Sequence, residues 1–180
     1  MTVMSSSRAH RRSLVAVGIP ALVVTLGVGG VLVTAPRRDG PLVAPSAISV
    51  EFELAAGRAG TWGVVLPANP TASSITIESI ELVDARGLEL IGMLISDPDR
   101  DGGIGTLDVY PPPGIHARPV EGAVLPQVGS GDPHRQLLIG CRLTGTDAGS
   151  VEALRVLYRH AGTRYEVELA YGLRVRPAGG

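Results

Sequence analysis

Four aspartates fall within twelve residues at Asp97-Pro98-Asp99-Arg100-Asp101-Gly102-Gly103-Ile104-Gly105-Thr106-Leu107-Asp108. Carboxylates at alternate positions of a tight loop are the donors Ca²⁺ needs, because the ion takes several oxygens at about 2.3–2.6 Å. Asp97, Asp99 and Asp101 would supply side-chain oxygens, the carbonyl of Gly103 the seventh position and Asp108 the twelfth, with Gly102 permitting the sharp turn. Three features depart from a helix-loop-helix calcium hand. Pro98 stands at the second position, Asp108 is shorter than the usual bidentate glutamate, and the flanks are patterned as strands. A free-standing calcium loop is therefore the form expected. The alternative is a solvated acidic turn, for which Asp, Pro and Gly are ordinary residues.

Other reactive side chains are isolated in sequence. His116, His134 and His160 share no i, i+4 or H-x-H spacing and are expected as surface histidines. Ser130, in Gly129-Ser130-Gly131-Asp132, lacks the G-x-S-x-G elbow of a nucleophilic serine and is expected in a flexible loop. There is no phosphate-binding glycine loop, dinucleotide fingerprint or C-x-x-C pair. No catalytic residue and no organic cofactor are expected, calcium being the one candidate ligand. Cys141 is the single cysteine, so no disulfide can form within the chain. It shares strand parity with Leu137, Ile139 and Leu143, which points its thiol into a core.

The elements that would carry these residues follow a long apolar run. Ser13 to Pro36 is 24 residues without a charge, between Arg11-Arg12 and Arg37-Arg38. At about 1.5 Å per residue a helix of that length reaches roughly 36 Å, enough to cross a bilayer core of about 30 Å. Residues 13–35 are expected to span the membrane once. The basic tail 1–12 would stay in the cytoplasm, because it carries the larger excess of arginine, and the rest would lie outside the cell membrane. A cleaved signal peptide is the rival, with Val33-Thr34-Ala35 as a small-residue cleavage site. Against it stand the length of the run and Pro36 directly after the cut. Ala21, Thr25 and Gly29 form a small-residue stripe of the kind that lets helices approach closely in lipid.

Residues 36–46, with Pro36, Pro41 and Pro45, are expected as a stalk. Residues 47–176 form one domain. Ile48, Val50, Phe52 and Leu54 alternate with polar residues, the period of a half-buried strand. Trp62 to Leu66 is a second strand. Ile75 and Ile77 have the opposite parity from Ile80 and Leu82, which predicts a bulge or crossover near Ser79. Leu88 to Ile95 is nearly all apolar, as in a strand covered on both faces. The prolines of 111–134 predict loop with at most a short strand at Ala123–Leu125. Leu137 to Leu143 is a strand, and Leu154–Tyr158 with Tyr165–Tyr171 reads as a terminal hairpin. Seven to nine strands and no amphipathic helix predict an all-β, antiparallel sandwich.

The alternation at Ser74-Ile75-Thr76-Ile77-Glu78-Ser79-Ile80-Glu81-Leu82-Val83 and the hairpin Leu154–Tyr171 resemble bacterial extracytoplasmic immunoglobulin-like domains, including small membrane-anchored proteins of unknown function. The resemblance covers roughly residues 46–176. Trp62 lacks the flanking cysteine pair of antibody domains. The resemblance implies an interaction or accessory module without an inherited active site.

Charge is uneven along the chain. Residues 1–40 hold five Arg against one Asp, a net +4, while residues 41–180 hold eleven Arg against sixteen acids, a net −5. A mildly acidic outer domain argues against nucleic acid as a partner. The function expected is therefore a membrane-anchored extracytoplasmic binding or scaffold module with an unknown protein partner. The alternative is a calcium-dependent structural or adhesion domain using the loop Asp97–Asp108.

Overall fold

The computed structural model describes residues 35–129 and 134–179. Residues 13–34 of the expected membrane span, the stripe Ala21, Thr25 and Gly29, and Ser130 lie outside the described residues. Among the described residues no helix is long and apolar enough to cross a membrane.

The described chain is almost entirely strand and loop. In order it forms β1 (Ile48–Leu54), β2 (Ala59–Val65), β3 (Ile75–Val83), β4 (Leu88–Ser96), a single helical turn α1 (Pro98–Asp101), and the short pieces β5 (Thr106–Leu107), β6 (Arg118–Pro119) and β7 (Val124–Leu125). β8 (Gln136–Leu143), β9 (Gly149–Val151), β10 (Ala153–His160), β11 (Thr163–Leu169) and β12 (Tyr171–Pro177) follow. Three sheets result, with orders β1-β12-β9, β11-β10-β3-β7 and β5-β2-β8-β4-β6. All their pairings are antiparallel except β1 with β12, which run parallel from Ile48↔Tyr171 to Leu54↔Pro177. An all-antiparallel arrangement thus holds within the two larger sheets and gives way where the first long strand lies beside the last.

One apolar cluster joins the three sheets. Trp62, Ile75, Ile77, Ile139, Leu154, Tyr158, Leu169 and Val175 are all essentially sealed from solvent within it. Alternation explains most of this packing, because one face of each strand must find an apolar partner. The opposite parities of Ile75-Ile77 and Ile80 are reconciled by a bulge. Tyr158 pairs with Ile77 and Leu157 with Ser79, so Glu78 is skipped in the β3–β10 ladder. All three isoleucines stay buried as a result. Glu78 emerges on the outer face, where it accepts hydrogen bonds from Arg159 (2.7 Å) and Arg164 (2.6 Å). Burial pushes its pKa up, but these two arginines outweigh that and hold the carboxyl below its ordinary range.

The apolar run of β4 is not covered on both faces. Leu90 is 44% exposed, and only Ile95 and Ser96 of this strand are buried. β4 lies near the sheet edge, paired on one side with β8 and on the other only through Leu94 and Ile95 to β6. The strand sealed on both sides is β8, next to β4 in the sheet and central in it, where Leu138 is as buried as Leu137 and Ile139. Gly92 of β4 pairs with Gly140 of β8, and the Tyr110 ring fills the trough that the two glycines leave. A Cβ at Gly140 would stand 2.5 Å from that ring.

The hairpin between β10 and β11 closes through Ala161 and Gly162, both at positive φ, the geometry of a two-residue turn matched to strand twist. The expected final strand divides at Ala170. β11 ends at Leu169, and β12 enters a different sheet. The segment expected as a stalk lies against this end of the domain. Arg37 pairs in parallel with Tyr165. Its N–H donates to the Arg164 carbonyl at 3.0 Å, and its carbonyl accepts from Glu166 at 2.7 Å. Leu42 is buried, and its N–H donates to the Tyr158 hydroxyl at 3.3 Å.

Candidate functional site

The acidic loop begins where β4 ends. Asp97 has extended backbone and caps the helical turn Pro98–Asp101, its carboxylate accepting N–H groups of Asp99 (3.1 Å) and Arg100 (3.4 Å). Pro98, out of place in a calcium loop, suits the first position of a helix, where its missing N–H costs nothing and its φ is already helical. Gly102, at φ +81°, releases the chain from the turn. Gln136, itself buried, then clamps Ile104. Its amide donates to the Ile104 carbonyl at 2.6 Å and its oxygen accepts the Ile104 N–H at 3.0 Å. Sequence Asp-Pro-x-x-x-Gly thus encodes a capped turn anchored at both ends.

This local fold sends the expected calcium ligands in different directions. Asp97 faces the turn's own N–H groups. Asp99 is exposed and 3.7 Å from His134 Nδ1. Asp101 turns away toward His116. Gly103 lies in the chain leaving the turn, and Asp108 lies beyond β5 in an exposed loop. Side chains two apart on a helical turn do not face one another. Among the described residues, no group of three or more His, Cys, Asp or Glu side chains is arranged to hold a metal ion.

The contact the loop does make is with His116. Asp101 Oδ1 lies 2.8 Å from His116 Nδ1, and Oδ2 accepts the His116 N–H at 3.1 Å. The Asp101 side chain is only 4% exposed. The hydrogen bond from the His116 ring holds its carboxyl below the usual range, outweighing the upward push of burial. His160, by contrast, sits 3.0 Å from Thr71 Oγ1 at the far end of β10. The three histidines therefore form no common site.

Beside the Asp101–His116 pair opens a cleft of about 400 Å³, lined by Ile95, Ser96, Asp97, Arg100, His116, Ala117, Arg118 and Arg135. Its floor is Ser96, the last residue of β4, 4% exposed and with no hydrogen-bond partner for its hydroxyl among the described residues. Arg118 arrives on β6, which pairs with Ile95 directly before Ser96. Arg100 is delivered by the helical turn and makes a long 3.9 Å ion pair with Asp101. Residues scattered over 40 positions of sequence therefore meet at one end of the β4–β6 pairing.

No protein-family model matches this chain, and no curated protein matches it either. Function must therefore be read from the residues themselves.

Ser96 and His116 line this cleft, and Asp101 stands behind His116, so the residue types of a hydrolytic triad are near one another. Only the Asp–His half is assembled. The Ser96 hydroxyl bonds neither His116 nor any other described group, so the histidine is not placed to take its proton. Ser96, Arg118 and the Asp101–His116 contact carry no signal in sequence, because their separations follow no helical or strand period. Cys141 is where its parity put it, 1% exposed in the core, with burial pushing its thiol up to about 11. At that value it is neither nucleophile nor metal ligand at neutral pH.

Proposed function

We propose that this chain is a membrane-anchored extracytoplasmic binding module, an immunoglobulin-like sandwich that acts by recognition without catalysis. The observation that carries this reading is the cleft at the end of β4, where cationic side chains and an unpartnered hydroxyl converge without a nucleophile–base contact. Concave sites with a few convergent polar groups are the usual place for a ligand. The anchor rests on the uncharged run from Ser13 to Pro36 and its flanking arginines. The immunoglobulin-like assignment rests on the two larger antiparallel sheets, their shared core and the late hairpin.

Two measurements test the proposal. The full chain should stay with membranes through alkaline carbonate extraction, and a soluble form beginning near Pro36 would remove the anchor. A photo-reactive residue replacing Ala117, in the cleft, should cross-link a partner protein in intact membranes. The same group at exposed Glu168 on β11 should not. Equal cross-linking from both positions, or none from Ala117, overturns recognition through this surface.

A further inference from the structure

We infer that the cleft beneath the Asp101–His116 pair binds an oxyanion, a carboxylate or phosphate group carried by the ligand. The inference rests on the reading of this cleft as a recognition site and adds the chemistry of what it holds.

Charge supplies the first observation. Three guanidinium groups line the cleft: Arg100, ion-paired at 3.9 Å to Asp101, Arg135, which has a partner of its own, and Arg118. Of the carboxylates nearby, Asp101 is engaged at both oxygens and Asp97, which lines the cleft, at one. Asp97 accepts two backbone N–H groups of the helical turn, and Asp101 accepts the ring and backbone N–H of His116. The Arg118 side chain makes no hydrogen bond or ion pair among the described residues. A guanidinium presents N–H groups in a planar fork that matches the two oxygens of a carboxylate or phosphate.

The second observation is independent of charge. Ser96 is 4% exposed, lines the cleft, and its Oγ has no partner among the described residues. Burying a hydroxyl without a hydrogen bond costs free energy, and most buried polar side-chain atoms have one. A ligand oxygen held by the guanidinium groups would accept from this hydroxyl and remove the deficit. The lining holds three guanidinium groups against the single carboxylate of Asp97, a balance that favours an anion over a cation.

The test uses the full chain in detergent, with inorganic phosphate, acetate and chloride as probes at equal ionic strength. Phosphate or acetate should raise the melting temperature saturably, and chloride should not. A response to phosphate alone assigns a phosphate-bearing ligand, and a response to acetate alone assigns a carboxylate. Arg118→Gln should weaken the response roughly tenfold, the loss expected for one charge-assisted hydrogen bond. Ser96→Ala should weaken it too, yet melt no lower than the parent without anion, because it deletes an unpartnered group. Phosphate and acetate indistinguishable from chloride overturn the inference. So does an anion response that neither substitution changes. If cross-linking from Ala117 persists while both anions fail, the recognition reading stands and the oxyanion falls. Anion binding without cross-linking has the opposite meaning.

Discussion

Asp101 is a nearly buried carboxylate whose two hydrogen bonds among the described residues both come from His116, with Arg100 farther off at 3.9 Å. Its pKa is lowered in the folded state, chiefly by the hydrogen bond from that ring. A lowered folded value means the carboxylate contributes stability above the ordinary aspartate range near 3.9, and the contribution fades as pH falls through the folded value. Asp101→Asn should therefore melt lower than the parent at neutral pH, with the gap closing under acid. A gap that is constant with pH would show that the carboxylate's charge is not what matters. Cys141 gives a second expectation at this scale. With its thiol at about 11 and sealed in the core, it should react slowly with a thiol reagent at pH 8 and rapidly in denaturant. Rapid native labelling would contradict its placement. Cys141 was legible because strand parity is a strictly local rule. The Asp101–His116 contact was not, since it joins positions fifteen apart across a proline-rich return that has no period.

At the scale of elements, the acidic loop was legible in its residues and not in its shape. The same letters, Asp-Pro-Asp-Arg-Asp-Gly, describe alternate carboxylates around an ion or an N-capped helical turn. Pro98 after Asp97 is the feature that distinguishes them, because that pair is a helix start. Asp97→Ala should cost about 1 kcal/mol, the usual loss on removing an N-cap. Thermal melts in millimolar calcium and in chelator should coincide, because two of the four carboxylates are engaged in hydrogen bonds within the protein. A calcium-dependent rise in melting temperature would restore the ion-binding loop. β4 and β8 show a different limit. Both are apolar runs, and composition does not say which one sits at the centre of a sheet. Neighbouring strands decide it, and they come from distant sequence. The glycine pair Gly92–Gly140 belongs to this scale as well. Gly140→Ala drives a Cβ into the Tyr110 ring and should destabilise by about 1–3 kcal/mol. Combining it with Tyr110→Ala should cost less than the two losses added separately, by calorimetry or denaturant melts.

Over the whole molecule, the all-β class followed from turn spacing and alternation, and the β3 bulge from a parity switch alone. The sheet order did not follow, since period two is silent about partners. The parallel contact between β1 and β12 is the clearest case, because it brings together residues more than a hundred positions apart. That contact also decides how the domain carries tension. β1 and β12 point the same way, so a pull applied before Ile48 and after Pro177 acts at opposite ends of the seven-residue ladder. Once residues 35–47 have been drawn off β11, the load falls on all those hydrogen bonds together, in shear. A pull across Ala153 and Leu169, neighbouring ends of the antiparallel β10–β11 pair, opens one bond at a time. Single-molecule extension should therefore meet a markedly higher rupture force from the chain ends than from that hairpin, and equal forces would exclude a shear-loaded ladder. The parallel β1–β12 ladder thus makes the domain a mechanical clamp, strongest along the line from Ile48 to Pro177.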